Sequence, residues 1–193
     1  METLDGDCVR YAGASYDHLF YRGEVRGAPP LPLRLSPDGA SLRATLEGSS
    51  PIPGSIVRIR RSTREVSVTS APAPGASVEL RSPSASSATG AQALDASLRA
   101  AGLSDAEVLA FRRAWDVALF GGEIASAEAP SPVASATPTA GLVLTASDDA
   151  IVYVLPIASA DALAPLTFSP APRVVRRAIV AWIDVTSGTP ARP

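Results

Sequence analysis

Apolar and polar residues alternate with the two-residue period of a β-strand in several short segments of this chain. An aromatic-containing segment at 16–26 is the first candidate strand. In the segment 31–35 every second residue is leucine, and the segment 41–46 alternates in the same way. Between them, the sequence 36–39 places proline and glycine where a reverse turn favours them. The pattern therefore predicts an antiparallel hairpin over these two segments.

A second hairpin is predicted by the alternating segments 56–60 and 65–69, and the segment 77–80 is a further candidate strand. Arg58 and Arg60 fall on the face opposite the aliphatic residues, which predicts a sheet with one solvated face. The residues of this hairpin that are expected to face inward are Val57, Ile59, Val66 and Val68.

Two helices are predicted after these strands. The segment 92–101 carries leucines at helical spacing, and Gly102 is placed to end it in a left-handed cap. Ser104 and Glu107 form a capping box at the start of the second helix. We expect the apolar stripe of that helix to face the sheet. The stripe consists of Val108, Phe111, Trp115 and Ala118.

The pattern of the C-terminal part predicts strands and one short helical turn. The continuously apolar segments 142–144 and 151–155 predict a third hairpin, buried on both faces, with a turn between them. A single helical turn capped by Ser159 is expected at 159–163, and a long strand at 174–185. In that last strand, Ile179, Ala181 and Ile183 are expected to lie opposite Val180 and Trp182.

These elements predict an α+β fold in which antiparallel hairpins form a sheet, open barrel or sandwich and one helical hairpin packs on it. We divide the chain at changes of composition, where stretches rich in Ala, Ser and Pro interrupt the periodic segments. The divisions are a β-hairpin region at 1–81, a linker at 82–91, a helical hairpin at 92–122, a flexible linker at 123–140 and a β region at 141–186 that completes the same core.

Composition supports a globular protein and excludes several chemistries. Of the 193 residues, 46% are hydrophobic and 19% charged, and the formal net charge is −2. All 17 basic residues are arginine, and the chain has neither lysine nor asparagine. A Schiff-base lysine, a phosphate-loop lysine and an N-glycosylation acceptor are therefore excluded. Because lysine and asparagine need AT-rich codons, their absence indicates a GC-rich and, we expect, bacterial genome.

The N-terminal residues 1–7 are polar and acidic, unlike the basic and then apolar layout of a signal peptide. The sequence also has no run of about 18 apolar residues, so we expect no membrane span. We expect a cytoplasmic protein. The alternative is the cell envelope or secretion, if an export signal is missing from this chain.

Few residues offer catalytic chemistry, and none is singled out as catalytic. His18 is the only histidine, and the chain's one cysteine, Cys8, is its only potential thiol nucleophile. Neither the acids near the N-terminus nor Asp148 and Asp149 have the remaining spaced ligands of a calcium loop. We therefore expect no metal and no cofactor.

Two sets of side chains are candidates for binding. The densest basic patch consists of Arg58, Arg60, Arg61 and Arg64, and a second basic group consists of Arg173, Arg176 and Arg177. We interpret these arginines as a solvated strand face that discourages edge-to-edge pairing, with a polyanion site as the alternative. Phe111 and Trp115 are expected to pack in the core, with docking on another protein as the alternative.

The sequence favours a non-enzymatic binding or structural module that acts through protein–protein contacts. The expected partner is another protein and not a nucleic acid, and the oligomeric state is left open. Two alternatives stand beside this hypothesis. One is a hydrolase that uses scattered carboxylates or His18, and the other is a protein that binds polyanions through its arginine-rich strands.

Overall fold

Two antiparallel sheets of five and three strands, a separate pair of strands and three helices make up the described part of the chain, which confirms the α+β class. The described strands do not close a barrel. The residues that the computed structural model describes are 9–11, 14–16, 31–38, 41–120, 147–166 and 177–185, with the backbone alone for 9–11, 14–16 and 38.

The strands are β1 (Val9–Tyr11), β2 (Ala14–Tyr16), β3 (Leu33–Asp38), β4 (Ser41–Leu46), β5 (Ser55–Arg60), β6 (Glu65–Ser70), β7 (Ser77–Leu80), β8 (Ala85–Ser86), β9 (Asp149–Val154) and β10 (Val180–Asp184). The helices are α1 (Ser87–Ala100), α2 (Asp105–Phe120) and α3 (Ile157–Leu163). The larger sheet has the strand order β10-β9-β5-β6-β8, and the smaller has the order β3-β4-β7. The strands β1 and β2 form a separate pair.

The two predicted hairpins are present as β3–β4 and β5–β6. In the first hairpin, Asp38 pairs with Ser41, so Pro37 belongs to the strand and the predicted turn at 36–39 is placed too early. The strand predicted at 77–80 is also present, as β7 beside β4. Alternation therefore located the strands well, whereas turn residues located the bend less well.

The expectation of one solvated sheet face is wrong. The larger sheet is covered on both sides, by α1 and α2 on one face and by the smaller sheet on the other. Along β5, Val57 and Ile59 pack toward the helices, while Ile56 and Arg58 are buried on the other face. The protein thus has three layers: the smaller sheet, the larger sheet and the helices.

β9 lies between β10 and β5 in the larger sheet and contributes residues to both cores. Its residues Ile151 and Tyr153 face the smaller sheet, and Val152 and Val154 face the helices. This confirms the prediction that the strand is buried on both faces. Its predicted partner at 142–144 lies outside the described residues, and β9 pairs with β5 and β10.

Helix α1 begins at Ser87, inside the stretch predicted to be a linker at 82–91. The small residues that made this stretch look like a linker allow the helix to pack closely on the sheet. A Cβ atom on Gly90 would lie 3.1 Å from a methyl carbon of both Val57 and Val66. At the other end, Gly102 has a φ of +98°, and its N–H bonds to the Arg99 carbonyl, as the predicted cap requires.

The predicted capping box of α2 is present. The Ser104 N–H donates to the Glu107 carboxylate at 2.6 Å, and the Glu107 N–H donates to the Ser104 hydroxyl at 3.3 Å. Val108 and Phe111 are buried as expected, but Leu119 and Phe120, rather than Ala118, complete the buried stripe.

At the C-terminal side, α3 begins at Ile157, so Ser159 lies inside the helix and does not cap it. β10 is shorter than the strand predicted at 174–185, but its alternation of faces is as predicted. The strand predicted at 16–26 lies almost wholly outside the described residues. No described helix combines the length and the apolar character needed to cross a membrane.

Candidate functional site

Arg58, the first residue of the predicted basic patch, is buried inside the protein. Its guanidinium donates to the Asp149 carboxylate from Nη2 at 2.5 Å and from Nε at 3.0 Å. Its Nη1 donates to the backbone carbonyl of Leu80 in β7 at 3.2 Å. Because β5 and β9 belong to one sheet and β7 to the other, Arg58 ties the two sheets together and is not part of a solvated face.

The other three arginines of the patch lie at or next to the tip of the β5–β6 hairpin. The guanidinium of Arg60 is 3.9 Å from the Glu65 carboxylate, and that of Arg61 lies 5.8 Å from the centre of the Trp182 ring. Arg64 is exposed and adopts a left-handed backbone with a φ of 56°. The structure therefore removes Arg58 from the patch and leaves Arg60, Arg61 and Arg64 at or next to the hairpin tip.

Acidic residues accompany these arginines. Asp148 accepts hydrogen bonds from the backbone N–H of Ser62 at 2.7 Å and from its hydroxyl at 2.8 Å. These bonds, with a smaller effect of nearby arginines, lower the pKa of Asp148. The nearby acids offset much of the positive charge that a polyanion site would need.

The second predicted basic group is only partly described. Arg173 and Arg176 lie outside the described residues. Arg177 forms an ion pair with Asp161 at 3.2 Å and donates to the carbonyl of Ala160, and both of these residues belong to α3. β9 separates β5, which carries Arg58 and Arg60, from β10.

Phe111 and Trp115, the predicted aromatic site, belong to the helix-side core. Phe111 is buried, and the Trp115 ring stacks on it with 6.3 Å between ring centres. Beside them, Arg112 bridges Asp95 of α1 and Asp116 of α2. The Asp116 hydrogen bonds, followed by those of Asp95, raise the pKa of Arg112 against the opposing effect of burial. These side chains hold α1 against α2.

Of the described residues, Tyr153 has the largest fully buried side chain, and it lies between the two sheets. Its hydroxyl has no hydrogen-bond partner in the part of the chain that the structure describes. Burial raises the pKa of this phenol, and the nearby backbone of Leu33 offsets part of that effect without forming a well-made hydrogen bond. Tyr153 is thus a protonated core residue and not a general base.

Within the described ranges, no three His, Cys, Asp or Glu side chains are grouped so that they could hold a metal ion. Asp149 is engaged by Arg58 and Asp148 by Ser62. His18 and Cys8, on which the predicted nucleophilic alternatives depend, lie outside the described residues.

A groove of ligand size lies between β6 and β7 on the described surface. Its volume of about 390 Å³ is at the lower end of the range of about 300–1,000 Å³ that is typical of ligand sites. The groove is lined by Val68, Thr69, Ser70, Val78, Glu79 and Arg81.

The groove forms because two consecutive strands join different sheets. Near its narrow end, the Ser67 hydroxyl donates to the Arg81 carbonyl at 2.7 Å, and the Ser84 N–H donates to the Val66 carbonyl at 3.0 Å. Beyond this point β6 stays with β5 while β7 stays with β4. The segment 71–76 joins the strands at the other end, so they run in opposite directions and diverge.

Backbone groups on both walls point into the gap. The Ala71 N–H bonds to Gly54 on the β5 side, whereas the Val66 carbonyl bonds on the opposite edge. Because backbone groups alternate in direction along a strand, Val68 and Ser70 present theirs to the open edge. β8 pairs only with Glu65 and Val66, so no described strand covers this edge.

The same alternation applies to β7. The Ala76 carbonyl accepts from the Leu46 N–H on the β4 side. Ser77 and Glu79 consequently present their N–H and carbonyl groups to the groove, and β7 has no described strand partner other than β4. The groove therefore has an unpaired strand edge on each side.

Sequence reasoning did not identify this groove. Val68 was expected to face inward, but it is 38% exposed, whereas Val66 is fully buried. Both valines have the same place in the alternation, and nothing in that pattern shows that only one of them is covered. Comparison of the chain with protein-family models, curated proteins and solved structures finds no match.

Proposed function

We propose that this chain is a protein-binding module that accepts an extended segment of a partner protein as an added strand between β6 and β7. The observation that carries the proposal is that each wall of the groove has a strand edge without a partner strand among the described residues. Strand addition is a common mode of peptide recognition in which main-chain hydrogen bonds supply much of the affinity.

The walls offer complementary backbone groups to such a segment. One edge of the added strand can bond to Val68 and Ser70, and the other edge can bond to Ser77 and Glu79. Because β6 and β7 run in opposite directions, the added strand would be parallel to one of them and antiparallel to the other. It would join the two sheets at the corner where they now diverge.

The side chains of the β6 edge also favour binding. Natural edge strands are usually protected from pairing by charged residues, proline or bulges. From Val66 to Ser70 the edge has no charged residue, and it exposes Val68. Pro72 follows two residues after Ser70 and limits the open edge to a few residues, which suits a short segment better than an extended assembly.

The two alternative functions have less support from the described residues. A hydrolase needs two available acids or a positioned base, but Asp149, Asp95 and Asp116 are engaged with arginines. A polyanion site needs uncompensated positive charge, but acidic residues lie next to Arg60 and Arg61.

The proposal can be tested by selecting binders from a library of random seven-residue peptides displayed on phage, with the purified chain as bait. Val68→Pro removes an outward N–H that an added strand needs, and proline is tolerated at strand edges. Val68→Thr is the matched control, because it keeps the backbone groups and the branched side chain. We expect Val68→Pro to weaken the selected peptides about tenfold, from the loss of main-chain bonds worth about 1 kcal/mol each. Val68→Thr should change affinity by less than about threefold.

Hydrogen exchange locates the binding site independently. A bound peptide should slow exchange of the outward amides of Val68 and Ser70, while the exposed amide of Thr63 at the hairpin tip should be unaffected. Equal peptide affinity in the Val68→Pro variant, or protection confined to another surface, would overturn the proposal. Salt-dependent retention on heparin that is lost in an Arg60→Gln, Arg61→Gln double variant would favour the polyanion alternative.

A further inference from the structure

We infer that the groove holds its partner segment by one aliphatic side chain, which enters between the two sheets and packs against Thr69 and Val78. This inference rests on the proposed function and adds the chemistry of the bound segment. It comes from the core between the sheets, whose edge is partly exposed at these two side chains.

The side chains of Thr69 and Val78 point from the two walls of the groove toward the space between the sheets. Thr69 lies directly opposite Ile56, and Val78 lies directly opposite Ala44. Ile56 and Ala44 are fully buried in the core between the sheets, and residues directly opposite each other in a strand pair share a face. Thr69 and Val78 are only half-buried and both line the groove, so they form its floor.

This floor is one inward residue long on each wall. On the β6 wall, the inward residue before Thr69 is Ser67, which is buried and donates to the Arg81 carbonyl. The inward residue after Thr69 is Ala71, which packs on the same core beyond the end of β6. On the other wall, the next inward residue of β7 is Leu80, which is also buried. The floor therefore offers a place to one inward side chain of a bound segment.

The chemistry of the floor selects the residue that enters. An added strand points alternate side chains to opposite faces, so the neighbours of the inward residue point outward. The inward residue meets the methyl groups of Val78 and Thr69, whereas Glu79 alternates with Val78 and faces the other way. An aliphatic residue gains from burial at this place, and a polar residue would lose its hydration.

Blocked synthetic peptides test the inference on the full chain by NMR titration, which also detects weak binding. The parent is Thr-Ser-Thr-Val-Thr-Ser-Thr, whose central valine is its only aliphatic residue. Alanine in place of the valine should weaken binding about tenfold through the loss of two buried methyl groups, and glutamine should weaken it at least about thirtyfold. Glutamine in place of the threonine before the valine is the matched control, and it should change affinity by less than about threefold because that residue points outward.

Variants of the floor distinguish a direct contact from a general preference for apolar peptides. Val78→Ala should weaken the valine peptide about fivefold and leave the alanine peptide within about twofold, because only the valine peptide reaches the deleted methyl groups. Thr69→Ser removes one methyl group and should weaken the valine peptide about threefold, which keeps the test decisive if Val78→Ala does not fold. Ser77→Ala changes an exposed residue on the opposite face of β7 and should leave both affinities unchanged.

The outcomes separate this inference from the function on which it rests. Equal affinities of the valine and glutamine peptides, with the amides of Val68 and Ser70 protected from exchange, would overturn the aliphatic contact and leave strand addition intact. A preference for valine that is unchanged in both floor variants would overturn it as well. If neither these peptides nor any library peptide protects the two amides, strand addition and the aliphatic contact both fail.

Discussion

The two faces of the larger sheet are covered in different ways, although the same strands supply both. On the helix side, α1 and α2 bury aliphatic and aromatic residues, and Gly90 lets α1 approach the sheet closely. On the sheet side, the interior contains the Arg58–Asp149 ion pair and the Tyr153 hydroxyl. The helix side is an apolar core, whereas the sheet side combines an apolar core with a polar joint, the Arg58–Asp149 pair.

The difference shows how a groove can arise without a dedicated binding loop. A helix lies across several strands and covers them, but a second sheet follows its own pairing and diverges from the first. At the β6–β7 corner the two sheets separate just beyond the Ser67–Arg81 hydrogen bond. Polar contacts hold the sheets together up to this point, and unpaired edges begin immediately after it.

The largest effect is expected when the polar joint is broken. Arg58→Met leaves the Asp149 carboxylate largely buried without its cation and removes a donor from the Leu80 carbonyl. We expect the free energy of unfolding to fall by about 3 kcal/mol, because an unpaired buried charge is costly. Urea denaturation measures this change. Adding Asp149→Leu to the variant should restore most of the loss, and a single variant as stable as the unmodified chain would show that the pair is not a structural joint.

A smaller loss is expected when the helix side is overpacked. Gly90→Val places branched carbon against Val57 and Val66, where even a Cβ atom would be 3.1 Å from each. We expect a destabilisation of about 2 kcal/mol from the displacement of α1. Ala88→Val is the control, because Ala88 is exposed on the same helix and should lose only about 0.5 kcal/mol. Equal losses in thermal or urea unfolding would mean that Gly90 is not a contact point.

Tyr153→Phe tests the sheet side of the larger sheet, and here we expect a gain in stability instead of a loss. It removes a buried hydroxyl that has no partner among the described residues and keeps the aromatic ring. We expect a gain of up to about 1 kcal/mol in the free energy of unfolding, since burying an unpaired polar group is unfavourable. Thermal unfolding detects the gain as a higher Tm. A clear loss of stability would instead indicate that the hydroxyl is hydrogen-bonded, for example to a buried water.

The smallest effect is expected at the solvent end of the β5–β6 hairpin. The bonds from Ser62 lower the pKa of Asp148 in the folded protein below its ordinary value of 3.8. The stabilisation is therefore complete above that value and disappears as the pH falls through the folded pKa. Ser62→Ala keeps the backbone bond and should raise the pKa part of the way back. A carboxyl titration followed by NMR measures the shift, and an unchanged pKa would contradict the role of the hydroxyl.

Much of the local structure was predictable because it depends on neighbouring residues. Ser104 and Glu107 are three positions apart, so their capping box is visible in the sequence, and Gly102 marks the end of α1 for a similarly local reason. The alternation in 56–60 and 65–69 likewise identified a hairpin. The candidate site was not predictable in this way, since its walls belong to different sheets.

The sequence by itself determined which residues share a face of a strand or a helix, because that depends only on the period of the backbone. Only the tertiary structure decided what covers each face. Arg58 is buried because β9, about 90 positions later in the chain, brings Asp149 beside it. Val68 remains exposed because α1 does not extend over it, although Val66 two residues earlier is covered. Contacts between segments that are distant in the sequence determine which of these residues is buried, and the local sequence pattern does not show those contacts.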